Sequence, residues 1–543
     1  MRQPAGGWGC FAMDIVRDYN YSMPRRLPAS ILFLSLGLAL LTLLPYLWAA
    51  VAAGSRHVFA GFLLNPLDGL TYLAKMRQGW QGSWLFTLPF TTDPGSGSFL
   101  FSYYLLLGHF ARWLHLPLLV VFHGARVAAG AFMLITLWHF AGKISSDPRT
   151  QRLAWWVMAV GSGLGWVAAL AGGITADLWV AEFIPFLSLL SSAHFPLALA
   201  LVLWIAMPLA LSPQAMTLRR GAGLWLLATA LAILQPFALI PLGVAASLWA
   251  LWMRWRAGRF PQGSVIGLGL VGLAAAPWLA YDLLLTRTHT QLAIWAAQNL
   301  TPTPPVWDVA LSAGLLGALA VVVIARRAMR RGPAETASPE SQSFFVVWAV
   351  SNALLLYAPL ALQRRLMMGW FFPLAGLAVP LLAKWIWQAR KPWTRIAASF
   401  ALLVPSNVLL LAALAGGIMR REPALFLTHD EAAALAYLAA ASPASPVVLA
   451  SPGFGAFIPG FSGARVIYGH PMETPGALEA QRAVVQFYTA DGAAAQEGFL
   501  RRYAVDYVVF GPRERALGGV LHLSLAPAFQ AGEMTVFSTA GMP

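Results

Sequence analysis

A polytopic α-helical membrane protein, with about 11 transmembrane helices and a small C-terminal α/β extracytoplasmic domain, is the fold class this sequence predicts. Three observations carry it. Of 543 residues, 59% are hydrophobic and only 10% are charged, whereas soluble domains run near a quarter charged. Apolar stretches of about twenty residues recur, the length that crosses a hydrocarbon core as helix. These stretches do not alternate polar with apolar, which excludes a membrane β-barrel and leaves a helical bundle.

The elements follow in order. Residues 1–28 form an N-terminal tail whose Arg17, Arg25 and Arg26 place it in the cytoplasm. Ala50-Val51-Ala52 resembles a signal cleavage site, but the run Ile31–Ala53 is longer than a signal core and reads as an uncleaved first span, about 29–53. A long outer loop, 54–116, follows. Its second half, Ser98 to Leu116, is apolar yet holds His109, Arg112, Trp113 and His115, the mixture of a helix lying on the membrane surface. Span two (117–141) returns to Lys143, Arg149 and Arg152. Span three (153–173) exits to a segment, Gly173–Ser192, without Lys or Arg, and span four (193–212) returns to Arg219 and Arg220. The run Gly221–Trp252 is too long for one helix and divides at Gln235-Pro236 into two spans. Span seven (263–284) exits to an outer loop at 285–307. Span eight (308–325) returns to Arg326, Arg327, Arg330 and Arg331, and spans nine (343–361), ten (368–387) and eleven (396–418) complete the domain at 29–418.

Every inner loop is basic in this threading. The net charge of +15 therefore reads as the positive-inside pattern of a plasma (inner) membrane protein, not as a nucleic-acid surface. With Cys10 as its one cysteine, the chain has no intrachain disulfide and no cysteine metal site.

Residues 419–543 fall outside the membrane on the extracytoplasmic side. Helical patterning at 429–441 and 475–502 alternates with β-rich runs at Val447–Leu449, Arg465–Tyr468 and Tyr507–Phe510, the order of a small α/β domain. Ser451-Pro-Gly-Phe-Gly455 follows a strand but lacks the complete glycine fingerprint of a dinucleotide site.

An ionisable group beside lipid is expensive and so marks function. The threading gathers such groups at one face: Asp68 in the first outer loop, Arg126 at the outer end of span two, Glu182 in the second outer segment. His194 opens span four, Asp282 closes span seven, and Arg364-Arg365 cap span nine. Two adjacent arginines on an outer loop run against the positive-inside bias, and their planar forks suit phosphate. Together the groups match a lipid-phosphate sugar donor: arginines on the phosphate and a carboxylate as general base for an acceptor hydroxyl. A divalent metal bridging acid and phosphate is compatible with this chemistry, though the sequence does not demand one.

With those residues in view, the chain resembles the glycosyltransferase C (GT-C) superfamily, which includes bacterial enzymes transferring sugars from polyprenyl phosphates. The resemblance rests on Asn65-Pro66-Leu67-Asp68, the surface helix and His123-Gly124-Ala125-Arg126. It extends to Ala181-Glu182-Phe183, Ala193-His194-Phe195-Pro196 and Gln363-Arg364-Arg365-Leu366-Met367-Met368-Gly369. In the tail, Gly463–His470 and Tyr507–Pro512 echo the outer domain of bacterial membrane proteins with this layout. It implies a membrane glycosyltransferase, inverting, with Asp68 as catalytic base beside Glu182. Arg126, His194, Asp282, Arg364 and Arg365 would bind a polyprenyl-phosphate lipid donor. Many members carry paired acids in the first outer loop, where this chain has Asp68-Gly69. The acceptor is not implied, and membrane lipids are the other partner.

Two other classes fit the composition. A transporter or lipid flippase expects charge at mid-membrane depth and broken helices in matched halves. A non-catalytic membrane protein would use its outer domain to bind envelope material.

Overall fold

The computed structural model describes residues 27–211, 215–258, 260–329, 339–441, 445–540 and 542. The expected tail up to residue 26, with Cys10, and Arg259, Arg330 and Arg331 lie outside them. Among the described residues, eight helices are long and apolar enough to cross a membrane, or nine with the pair Pro392–Leu403 and Pro405–Arg420, bent by 50°, counted as one span. All of them fall at expected positions. The difference from eleven lies at spans five and nine, which are the 17-residue helices Leu218–Leu234 and Pro339–Leu355. At 1.5 Å per residue each covers about 25 Å, just short of a bilayer's hydrocarbon core. The segment expected to lie on the membrane surface forms the helix Ser102–Leu114.

The chain divides into two compact units. One comprises 1–42, 126–280 and 301–412; the other comprises 43–125, 281–300 and 413–543.

The first unit holds most of the apolar helices, and its distinctive feature is where they break. The helix Pro148–Val160 stops at Gly161 and resumes as Gly165–Leu170. Val306–Ala328 kinks at Gly314, whose φ is 55°, and the bent pair breaks at Val404. A broken helix frees backbone groups that lipid cannot satisfy. Here they satisfy one another: Ser162 N–H and its hydroxyl donate to Leu403 O (both 2.7 Å), and Leu164 N–H donates to Leu311 O (2.7 Å). The backbones approach so closely that a Cβ at Gly163 would lie 2.2 Å from Ser312 O. Glycine is required there for contact, not for flexibility.

The second unit joins the segment 54–116 to the tail. Five strands run in the order Arg465–Val466, Val447–Leu449, Tyr507–Phe510, Met534–Ser538 and Ala526–Ala531. The first three are parallel and the last two antiparallel. Side chains alternate across this sheet as strand geometry requires. Val448 and Val509 enter one core, whereas Val447, Leu449 and Val508 enter the other. The first core also takes Phe62, Leu70, Leu73 and Met76 from the loop. A strand at His57–Phe59 pairs antiparallel with Phe426–Thr428. The α/β region thus shares an apolar core with residues far upstream, a coupling that no local pattern carries.

Candidate active site

In the second unit the site is built on the helix Pro66–Gln81. Asn65 enters it in the left-handed region (φ 49°) and Pro66 occupies the first turn, a position where its missing N–H costs nothing. Asp68 therefore stands in that first turn, where the helix dipole favours a negative charge, and its side chain is 49% exposed. The neighbouring Gly69 explains the missing second acid: a Cβ there would sit 2.3 Å from the Phe62 ring.

Asp68 is met by the tail. His470 Nε2 lies 3.4 Å from Asp68 Oδ1, with the imidazole almost wholly buried. The backbone N–H groups of Met472 and Glu473 donate to His470 Nδ1 at 3.0 and 3.1 Å. An acceptor nitrogen carries no proton, so the proton of this imidazole sits on Nε2, facing the carboxylate. Two turns along the helix, fully buried Lys75 pairs with Glu473 at 2.9 Å, and its ammonium lies 3.7 Å from the Phe101 ring centroid. Gln298 and Asn299 bond the backbone of the same loop at Met472, Thr474 and Gly476. The loop carrying His470 is thus pinned from several directions. Its polar residues are visible in the sequence but read most simply as a structural turn, and Lys75 gives no signal at all.

Lys75→Met is expected to lower the unfolding temperature measurably in detergent. It strands the Glu473 carboxylate, and removing one partner of a buried pair costs about 3–5 kcal/mol. If the double variant Lys75→Met/Glu473→Gln melts no higher than the single, the pairing is not the reason.

The first unit holds Glu182, Arg364 and Arg365 on adjoining turns. Glu182 is 7% exposed, and its carboxylate makes no hydrogen bond or ion pair with the described residues. Its backbone carbonyl accepts from Gly369 N–H, which ends the arginine motif. Those arginines lie on the short helix Gln363–Met367, anchored by Arg364 N–H to Thr301 O and Thr303 N–H to Gln363 Oε1. The Arg364 guanidinium stacks on Trp179 at 4.5 Å and Arg365 on Phe237 at 5.1 Å. Phe237 belongs to the turn at Gln235-Pro236, where the sequence placed a break, and Pro236–Ala238 forms it. Arg365 Nε is buried with no hydrogen-bond partner among the described residues, an unmet demand on a charged donor.

The remaining residues are placed differently. Arg126 is buried, donating to Thr42 Oγ1 (2.9 Å) and Leu189 O (2.6 Å); it serves backbone left open where the first span breaks before Pro45. His194 is buried against Phe195 at the start of its helix. Asp282, half-buried in Gln262–Thr288, belongs with Asp68 to the second unit.

Sequence reasoning missed the most heavily bonded acids in the first unit. Asp177 accepts from Gly165 N–H (3.0 Å) and Thr175 Oγ1 (2.7 Å), and Ser312 Oγ reaches Asp177 (3.3 Å) and Asp308 (3.0 Å). Burial holds the Asp177 carboxyl above the usual range despite those donors. The network ties together the broken helices described above. Among the described residues no three of His, Cys, Asp and Glu come together as a protein-held metal ion would need.

No protein-family model matches the sequence, and no curated protein sequence matches it. Solved structures do resemble it. The archaeal oligosaccharyltransferase AglB from Archaeoglobus fulgidus, in complex with an inhibitory peptide and a dolichol-phosphate, aligns with a TM-score of 0.50 at 13% identity. That alignment covers 89% of this chain and 69% of the other. The apo form of the Archaeoglobus fulgidus oligosaccharyltransferase gives 0.51 at 13% identity, over 89% and 69%. The mycobacterial arabinofuranosyltransferase AftD gives 0.46 at 14% identity, over 95% of this chain and 40% of the other. At such identities the likeness to the oligosaccharyltransferase is one of fold.

Proposed function

We propose, for a multi-pass membrane chain with the fold of the GT-C glycosyltransferases, transfer of a sugar from a polyprenyl-phosphate-linked donor to an acceptor hydroxyl at the outer face of the plasma (inner) membrane. The N-terminus is cytoplasmic in this reading, and the α/β region over 419–543 is extracytoplasmic. The observation that carries it is the pair of chemistries the molecule builds: an exposed, histidine-oriented carboxylate at Asp68, and stacked guanidinium groups at Arg364 and Arg365 with a buried donor unmet. The archaeal neighbour's dolichol-phosphate is a ligand of the same class.

In the reaction, Asp68 removes the proton of the acceptor hydroxyl as its oxygen attacks the anomeric carbon. The bond from that carbon to the phosphate oxygen breaks, and its electron pair leaves with the lipid phosphate. Arg364 and Arg365 stabilise the charge that grows there, and a single displacement inverts the anomeric centre. Glu182 is a second acid, placed near the arginine turn by its backbone bond to Gly369. His194 and Asp282 are assigned to binding of the lipid donor in this reading. Arg126 shapes the site through the helix breaks that it bonds.

Transport is the other reading with an observation behind it, because broken helices are present. Their freed groups are bonded to one another, however, as Ser162 to Leu403 and Leu164 to Leu311 show. The deciding measurement uses the full chain in nanodiscs with a panel of radiolabelled polyprenyl-phosphate sugars. Release of polyprenyl phosphate that depends on an added acceptor is expected. Movement of the intact lipid across vesicles without cleavage would establish transport instead.

A further inference from the structure

We infer that a cavity at the C-terminal end of the surface helix Ser102–Leu114 binds the headgroup of an anionic phospholipid from the surrounding bilayer. The cavity, about 680 Å³, lies within the second unit, and Arg77, Trp80, Arg112, His115, Leu118 and Leu119 are among its lining residues. No acid lines it.

The helix sets its depth. Leu106, Phe110, Trp113 and Leu114 recur at helical spacing and are 42–56% exposed, while Tyr104, Leu105, Gly108, His109 and Ala111 on the other side are buried. A helix with one apolar face open and aromatic residues along it lies in the membrane interface. His115 ends it in the left-handed region (φ 54°), and Leu118 begins a candidate span three residues later. The turn between a surface helix and a span sits at headgroup level.

The chemistry at that level is cationic and unspent. Arg112 and His115 are exposed, and neither side chain makes a hydrogen bond or ion pair with the described residues. The Arg112 guanidinium lies against Gly82, where an added Cβ would come within 2.6 Å of Nη1. Arg77, at the back, is held by Gly460 O and Phe461 O with its guanidinium over Trp80. Two forks facing one cavity suit a phosphodiester. The leucine walls suit the acyl chains attached to it, which a soluble anion lacks. The inference stands whether or not the chain transfers sugar.

The test is native mass spectrometry of the full chain released from mixed micelles of phosphatidylglycerol and phosphatidylcholine. The parent protein is expected to retain phosphatidylglycerol preferentially. Arg112→Gln/His115→Gln is expected to weaken that retention about fivefold or more, the order set by one basic residue at a membrane surface. Arg502→Gln, exposed in the tail, serves as the control and should leave it unchanged. Equal retention of both lipids by the parent, or equal retention by parent and double variant, overturns the inference. Displacement of phosphatidylglycerol by inorganic phosphate or polyprenyl phosphate at matched concentration would also overturn it, because the site would then belong to another anion.

Discussion

Asp68→Asn is expected to lower sugar transfer by about 10²–10⁴-fold, the range that a positioned general base contributes, while the protein keeps its fold and donor affinity. The side chain is half exposed and packs into no core, so the amide substitutes without disturbing helix Pro66–Gln81. His470 Nε2–H still finds an oxygen at Oδ1. What is lost is the ability to take a proton, so kcat should fall with little change in donor binding. His470→Ala removes one charge-assisted hydrogen bond from the base and should cost about 10- to 100-fold. Because Met472 and Glu473 fix the ring's tautomer through Nδ1, His470→Gln should recover part of that loss by presenting its own donor. Full turnover by Asp68→Asn at matched expression would remove Asp68 from the mechanism.

The second large effect is at Arg365. Arg365→Ala is expected to reduce kcat/KM for the lipid donor by about 10²–10³-fold, comparable to losing one donor to a developing oxyanion. Arg365→Lys should recover little of it, since an ammonium cannot reproduce the fork or the stacking on Phe237. Stability separates this role from a structural one. A guanidinium whose buried Nε lacks a hydrogen-bond partner among the described residues is a cost to the fold. Its removal should therefore leave the unfolding temperature unchanged or higher while activity collapses. A fall in unfolding temperature with unchanged kcat/KM would make Arg365 a packing residue.

Much of this was readable along the chain because membrane solvation imposes local rules. The surface helix announces itself by mixing Arg112 and His115 into an apolar run, and the Gln235-Pro236 break by a proline that cannot continue a helix. The strands at Val447–Leu449 and Tyr507–Phe510 follow from β-branched runs between turn residues. The helices Leu218–Leu234 and Pro339–Leu355 show the limit of such reading: hydropathy marks an apolar segment but not where its last turn stops.

The candidate site divides in the same way. Asp68, Glu182 and Arg364-Arg365 stand out because charge beside lipid is costly wherever it occurs, and that cost is a property of the residue and its apolar neighbours. Lys75 and Asp177 do not, because each is tolerated through a partner brought from elsewhere in the chain: Glu473 lies 398 residues from Lys75, and Ser312 lies 135 from Asp177. The sequence alone decided the membrane class, the order of the apolar helices, three strands of the tail's sheet, and which charges are expensive. The tertiary structure decided which of those charges are already spent. It gives Arg126 to broken helices and His470 to Asp68, and among the described residues it leaves the Glu182 carboxylate and Arg365 Nε without hydrogen-bond partners. Pairing at that range depends on how packed elements meet, and no window of neighbouring residues contains that information.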